Sequence, residues 1–190
     1  MTRTLNVTLV VFALSLAAVG GAGTENGEWR HYAGDLGATK YSALDQITAA
    51  NFGKLEVAWT WRGDNFGPQV DHIFRSTPIY VGGVLYTVAG QRRTVAAIDP
   101  ATGETLWVYR EPHTTRFDRG MRNNYGKGVA YGEIDGRRVI YYTSPAFFLH
   151  ALDARTGEHI LNWGTRVPLP GFPSSGVVDM LPDLVRDWEP

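Results

Sequence analysis

Hydrophobic and polar residues alternate with a period of two in short runs along this chain, a pattern typical of β-strands. The first four runs occupy residues 76–81, 84–89, 94–99 and 105–110. Gly82 and Gly83 separate the first two runs, and paired glycines favour a tight type I′ hairpin because both turn positions need a positive φ. The pattern therefore predicts four consecutive antiparallel strands.

The same pattern starts again further along the chain. The second set of runs occupies residues 127–132, 138–143, 148–153 and 158–163. Four turn residues recur 54 positions later, since Ala97, Asp99, Thr102 and Gly103 return as Ala151, Asp153, Thr156 and Gly157. A repeat of four short strands is typical of a β-propeller blade, which needs neighbours to bury both of its faces. We therefore expect an all-β fold, a partial β-propeller of about two four-stranded blades.

The repeated turn carries residues with distinct physical roles. Asp99 can accept hydrogen bonds from backbone amides of its own turn, and Gly103 suits a left-handed position. Trp107 offers a flat ring that can stack between blades. In the second copy Leu161 stands where the tryptophan is expected. Trp163, two residues later and on the same strand face, is expected to substitute for it in part.

The flanking segments fit neither blade. Residues 54–61, KLEVAWTW, alternate like a lone fourth strand, and we assign residues 54–164 to the blades including this strand. Residues 23–53 are polar and rich in glycine, which predicts an extended N-terminal segment with one short helix near 47–51. Residues 165–190 predict an irregular tail. Two blades do not close a ring of the usual size, so either the chain is a fragment or several copies assemble. We favour the fragment.

Composition excludes several classes of function. The chain is 44% hydrophobic with 22 Gly and 10 Pro, as expected for a turn-rich β protein. The net charge of -1 and the absence of Lys/Arg clusters beside aromatic residues argue against a nucleic-acid partner. The chain has no Cys, which excludes disulfides and thiolate metal sites. The five histidines show no metal-ligand spacing, and His150 is expected to be packed or hydrogen-bonded within a strand.

The N-terminus predicts export. A short basic start is followed by an apolar run over residues 5–20 and then by small residues that permit cleavage after Ala22. These features are typical of a secretory signal peptide over residues 1–22, and they predict a periplasmic or secreted protein. The alternative is a membrane anchor, but the run is shorter than the roughly 20 residues that span a bilayer.

The repeated turn also carries a family resemblance. AIDPATGETLW, residues 97–107, resembles the tryptophan docking motif of quinoprotein dehydrogenases, which are eight-bladed propellers that use pyrroloquinoline quinone. The order of motifs in residues 29–47, the RSTPIYVGGVLYT run and GKGVAYG add to the resemblance, which covers roughly residues 28–164. It implies an eight-bladed parent that oxidises a sugar or an alcohol and passes electrons to a respiratory quinone or cytochrome.

The resemblance also implies candidate cofactor-binding residues. Lys127 in GKGVAY matches a basic residue, usually Arg, that approaches the quinone oxygens; the alternative is a lysine at a solvent-facing strand start. Arg75 in FRSTP replaces a glutamate that contacts the cofactor, and it could pair with a cofactor carboxylate or form an ion pair between blades. Asn123 lies near the place of a histidine in the glucose-oxidising branch, and the adjacent cysteines of the methanol-oxidising branch are missing.

The resemblance further implies a calcium ion that polarises the quinone and a carboxylate that takes the substrate proton. No motif in this chain supplies either group, so we expect the 190 residues alone to lack dehydrogenase activity. Two other functions stay open. The chain could be a non-enzymatic propeller that serves as a binding scaffold, which the changes at Arg75 and Lys127 would favour, or an inactive truncated gene product.

Overall fold

Two four-stranded antiparallel sheets form the regular part of the fold, as the alternating pattern predicts. The computed structural model describes residues 24–67, 73–119 and 128–185. The first sheet has the order β1 (Ile79–Val81), β2 (Val84–Ala89), β3 (Thr94–Ile98) and β4 (Thr105–Tyr109). The second has the order β5 (Ala130–Ile134), β6 (Arg137–Thr143), β7 (Phe148–Asp153) and β8 (Val177–Asp179). Each sheet is one blade, in which successive strands are neighbours.

The paired glycines form the predicted hairpin. Gly82 has φ 58° and Gly83 has φ 82°, and β1 and β2 pair directly on either side of them. Both values lie in the left-handed region that a type I′ turn requires at its two central positions. The strands that flank this turn are therefore set in register by the two residues that lack a Cβ.

The helices are short and lie outside the sheets. They are α1 (Thr115–Asp118), α2 (Leu181–Val185) and single 3₁₀ turns at Glu25–Gly27 and Phe52–Lys54. The prediction of a helix near residues 47–51 is wrong. The Asn51 side chain accepts a hydrogen bond from the Thr48 amide in a turn, and the 3₁₀ turn begins only at Phe52. Within the described ranges, no helix is long and apolar enough to cross a membrane.

The fourth strand of the second blade differs from its prediction. Residues 158–163 were expected to form it, but only its first part pairs with β7: His159 bridges Leu152, and the Ile160 amide donates to the Ala151 carbonyl at 3.0 Å. The chain then leaves the sheet and returns as β8, which pairs with the first half of β7. The fourth strand is thus split in two.

The return strand β8 interrupts the irregular tail predicted over residues 165–190, of which the structure describes residues 165–185. Gly164 makes the return possible, because its φ is 71° and a Cβ there would lie 2.5 Å from the Val177 carbonyl oxygen. The β-branched residues Val177 and Val178 then supply the strand. The excursion between the two halves contains Pro168 and Pro170, which have no amide to donate to a ladder.

Residues 54–61 are extended but do not form the lone strand that their alternation predicts. Among the described residues no strand pairs with this segment, and Val57 is 83% exposed. Two indoles instead fasten it to the first blade: Trp59 Nε1 donates to the Pro100 carbonyl at 2.9 Å, and Trp61 Nε1 donates to Thr105 Oγ1 at 2.9 Å. A β-strand needs a partner backbone for its hydrogen bonds, and an alternating hydrophobic pattern does not by itself provide one.

The main core lies between the two blades. From the first blade it contains Ile79, Val81, Tyr86, Val88, Val95 and Ala97, and from the second Ile140, Tyr142, Leu152 and Ala154. Each large aliphatic side chain in this layer contributes about 1.5–3 kcal/mol by leaving water. The Tyr86 hydroxyl finds an acceptor in the Ala154 carbonyl at 3.0 Å, so the phenol enters the core with its polar atom satisfied. Contact between neighbouring blades thus covers one face of each, as the repeat predicts.

Candidate functional site

The chain segments that precede β1 and β5 lie side by side. Gly128, with φ 81°, is so close to the first segment that a Cβ would lie 3.2 Å from Ser76 Oγ and 3.5 Å from the Thr77 carbonyl oxygen. These two strands are the first strands of their blades, so their beginnings mark one edge of the interface between blades. Gly128, the last residue of the GKG motif, therefore lies against the RSTP motif, although the two are far apart in the sequence.

Of the three predicted cofactor-binding residues, the structure describes one in this region. Arg75 lies at the convergence with an exposed side chain, next to Ser76. Lys127 and Asn123 lie outside the described residues. The described geometry therefore brings the Arg75 segment against Gly128, the residue that follows Lys127, and the roles of all three predicted residues stay predictions.

Ser76 is a further candidate cofactor-binding residue that was not predicted from the sequence. Its Oγ is buried and has no hydrogen-bond partner among the described residues. Buried hydroxyls nearly always have a partner, so this oxygen is suited to a group that would complete its hydrogen bonding. Its place in the RSTP motif beside Arg75 was the available indication.

A second set of contacts joins the blades through tryptophan and glycine. Trp107 on β4 lies against Gly157 in the turn after β7, where a Cβ would come within 2.6 Å of the indole ring. The indole Nε1 donates to the Ala154 carbonyl at 3.1 Å. The first blade is thereby attached to the repeated turn of the second by packing and by one hydrogen bond.

The same arrangement recurs one repeat earlier. Trp59 lies against Gly103, where a Cβ would be 2.7 Å from the ring, and its Nε1 bonds the Pro100 carbonyl. Trp107 was predicted to stack between blades and Trp59 was not, although VAWTW and TLWVY align as equivalent segments. Leu161, at the matching position of the second blade, is 57% exposed, and the Trp163 ring packs on Tyr141 of its own blade.

The turns that receive these indoles are held by aspartate. Asp99 Oδ1 accepts from the Ala101 and Thr102 amides at 2.7 and 3.0 Å. Asp153 Oδ1 makes the equivalent pair of bonds at 2.8 and 3.2 Å. Gly103 and Gly157 have φ of 77° and 74°, which closes both turns in the left-handed region. The two repeated turns are therefore the same structure.

Stacked four-stranded antiparallel blades joined by repeated turns define this chain as part of a β-propeller. The family profile described as PQQ: Glucose/ethanol/alcohol dehydrogenase, beta-propeller domain, matches residues 29–188. The chain belongs to this family of quinoprotein dehydrogenase propellers, as its motifs suggested.

Individual relatives agree with the profile. The chain is 34% identical over 145 residues to the dehydrogenase subunit of the quinone alcohol dehydrogenase of Gluconobacter oxydans, covering 72% of the chain and 17% of that protein. It is 32% identical over 151 residues to the 1-butanol dehydrogenase (cytochrome c) of Thauera butanivorans, covering 74% and 19%. The crystal structure of quinohemoprotein alcohol dehydrogenase from Comamonas testosteroni superposes with a TM-score of 0.58 at 32% identity, covering 70% and 19%. The chain thus spans about a fifth of the length of these relatives.

The described residues fit the cofactor of this family better than its metal. Pyrroloquinoline quinone is flat and carries three carboxylates, and the convergence offers the Arg75 guanidinium, the unpartnered Ser76 hydroxyl and a backbone left open at Gly128. In the described part of the chain, however, no cluster of three or more histidine, aspartate or glutamate side chains could hold a metal ion. A calcium site built from a cluster of such side chains is therefore not found among these residues.

Proposed function

We propose that this chain is the N-terminal propeller part of an exported dehydrogenase that uses pyrroloquinoline quinone to oxidise an alcohol. The observation that carries the proposal is the convergence of Arg75 and Ser76 with Gly128 at the start of the first strands. The names of the relatives, an alcohol dehydrogenase and a 1-butanol dehydrogenase, favour an alcohol over a sugar as substrate. The apolar run over residues 5–20 supports export.

The proposed role of the convergence is to bind and orient the cofactor. Arg75 would pair with a cofactor carboxylate, and Ser76 Oγ would hydrogen-bond the same edge of the ring system. Gly128 would let its backbone approach the flat ring, with Lys127 beside it as a second cation. When bound, the quinone supplies the two-electron acceptor for the substrate. We also propose that the Trp59–Gly103 and Trp107–Gly157 contacts are the tryptophan docking motif, which would hold the blades at a fixed angle around the cofactor.

The electron acceptor is proposed from the same relatives. One is named as a quinone enzyme and another as a cytochrome c enzyme, so a respiratory quinone or a cytochrome would receive the electrons. The calcium ligands and the proton-accepting carboxylate would belong to blades beyond those described here. With added cofactor and calcium, the purified chain is therefore expected to show no turnover of ethanol or 1-butanol.

A cofactor titration tests the proposal. Pyrroloquinoline quinone should quench the tryptophan fluorescence of the folded chain saturably, and Arg75→Gln should weaken the apparent affinity at least fivefold by removing a charge-assisted pair. Arg137→Gln is the matched control, because Arg137 is exposed at the opposite end of the β5–β6 hairpin. Quenching that is equal in all three proteins would reject the site and favour the binding scaffold, for which the arginine at position 75 is the supporting observation.

A further inference from the structure

A buried chain of titratable side chains connects the two blades, separate from the candidate cofactor site. His150 on β7 is fully buried, and its Nε2 lies 2.7 Å from Oε2 of Glu111, whose side chain is 4% exposed. Its other ring nitrogen, Nδ1, lies 3.0 Å from Nε2 of His159. Glu111 follows β4 of the first blade, while both histidines belong to the second. These three residues are called the histidine chain. Its Glu111–His150 contact crosses between the blades, and its His150–His159 contact joins β7 to the first part of the fourth strand of the second blade.

The proton positions in the histidine chain follow from the partners. A carboxylate only accepts hydrogen bonds, so His150 Nε2–H donates to Glu111. Burial lowers the pKa of His150, so at neutral pH its Nδ1 carries no hydrogen and is left as an acceptor. His159 Nε2–H then donates to His150 Nδ1, which makes both imidazoles neutral. This contact has room for one hydrogen. If both imidazoles were protonated, two N–H groups would face each other and the 3.0 Å contact would be lost.

Aromatic rings surround the buried His150 ring and flank His159. Tyr142 stacks on His150 with centroids 4.8 Å apart, and Tyr109 meets His159 edge-on at 4.9 Å. Phe148 and Phe172 cover the remaining sides of His150. Burial raises the pKa of Tyr142 and of Tyr109, so both phenols stay protonated at the pH values where histidine titrates.

Charged groups also face the histidine chain from the elements packed against it. Arg92 donates to the Glu111 carbonyl, and Arg93 donates to the Thr143 carbonyl from the β2–β3 turn. Arg116 of α1 lies within electrostatic reach of Glu111 and pairs with Asp179. Three arginines thus lie around the histidine chain, one of them paired with Asp179, and the Glu111 carboxylate is the charged group that contacts His150 directly.

The histidine chain reaches solvent at His159. This residue lines a cleft of about 820 Å³ between the blades, together with Trp107, Arg138 and Asp153. A proton can enter there without passing through the core. The cleft also contains the indole that packs on Gly157, so a change at His159 occurs beside the main contact between the blades.

We propose that the histidine chain is an acid-sensitive latch that holds the first part of the fourth strand of the second blade on β7, closed while both imidazoles are neutral and opened when both are protonated. The inference does not depend on cofactor binding, because it rests on the contacts among Glu111, His150 and His159 alone.

The direction of the pH effect follows from the histidines. Burial, together with the neighbouring His150, lowers the pKa of His159 to about 4, and burial also lowers the pKa of His150 despite its bond to Glu111. Unfolded histidine binds a proton near pH 6.5. The stabilisation by neutral His159 is therefore complete above pH 6.5 and is lost as the pH falls from 6.5 to 4. This one residue should raise the unfolding equilibrium constant on the order of 10²-fold across that range.

Histidine NMR of the wild-type chain is the first test, and it needs no variant. The His159 ring signals should titrate with a midpoint well below 6, and amide exchange in β7 and in the part of the fourth strand that begins at His159, corrected for its intrinsic pH dependence, should accelerate in the same range. A His159 midpoint at or above 6, or exchange in these strands that does not change between pH 7 and pH 4.5, would overturn the proposal.

Urea unfolding of His159→Gln provides the second test. The amide can still donate to His150 but cannot titrate, so its free energy of unfolding should vary much less with pH than that of the wild type. His113→Gln is the matched control, since His113 is exposed and pairs with Asp118 at the surface. It should keep the wild-type pH dependence. The same pH dependence in His159→Gln as in the wild type would also overturn the latch.

Discussion

The Trp107 indole lies on the α-carbon of Gly157 in the next blade, leaving no space for a side chain. The backbone there has φ 74°, so glycine is required both by the turn and by the ring that covers it. Two independent constraints thus meet at one residue. The contact joins sequence-distant parts of the repeat, and it can be tested by adding a single methyl group.

Gly157→Ala should destabilise the chain by about 3 kcal/mol, because the new Cβ must displace the indole as well as adopt a positive φ. Gly136→Ala is the matched control: its φ is also 74°, but nothing lies within 4 Å of the new Cβ. It should cost only about 1 kcal/mol. Urea unfolding of the two variants measures the difference, and equal losses would show that the ring does not constrain the turn.

Substitution of Trp107 and of Trp59 should have different effects on stability. Trp107→Leu removes a ring from the core between the blades and should cost about 2 kcal/mol in global stability. Trp59→Leu removes the attachment of the extended segment 54–61 and should leave global stability nearly unchanged. Limited proteolysis should then cut that segment faster in Trp59→Leu than in wild type. Protection equal to wild type would mean that other contacts hold the segment.

The return strand β8 should depend on one ion pair. Arg116 bonds both carboxylate oxygens of Asp179 at 2.7 and 2.8 Å, and it packs over the Phe148 ring. Arg116→Gln should cost about 1 kcal/mol and raise amide exchange in β8 before the other strands. Arg62→Gln is the control, because the Arg62–Asp64 pair is far more exposed. If both variants raise exchange in β8 equally, the pair is not what holds the strand.

The Arg116–Asp179 pair also makes the free energy of unfolding fall at acidic pH. The hydrogen bond from Arg116 holds the pKa of Asp179 below its ordinary value of 3.8. The stabilisation is therefore present above pH 3.8 and is lost as the pH falls through the lower, folded-state pKa. Asp179→Asn should flatten this part of the pH profile, which lies below the range assigned to His159. Stability measurements from pH 5 to pH 2.5 separate the two effects.

How well each element could be predicted depended on how local its cause is. The strands at 84–89 and 148–153 match the structure residue for residue, because alternation and flanking turn glycines act within a few positions. The split fourth strand could not be foreseen, since whether His159 or Val177 pairs with β7 is decided by the path of the intervening excursion. Segment 54–61 has the pattern of a strand but no partner among the described residues.

The candidate site residues also divide into those with a local sequence signal and those that only the folded structure brings together. Arg75 and the GKGVAY motif stood out because the residues of each motif are contiguous in the sequence. Ser76 was missed because a serine in a polar run has no pattern of its own until the fold buries its hydroxyl. The bond between Glu111 and His150 joins residues 39 apart in different blades, so only the packed sheets bring them together.

The tryptophan contacts have a direction along the chain that bears on how the protein is made. Trp59 precedes its acceptor Pro100 by 41 residues, and Trp107 precedes Ala154 by 47. During translation each indole therefore leaves the ribosome before the turn on which it docks. Both described blades therefore meet an anchor that has already been synthesised, so they can assemble in order from the N-terminal side as the chain emerges.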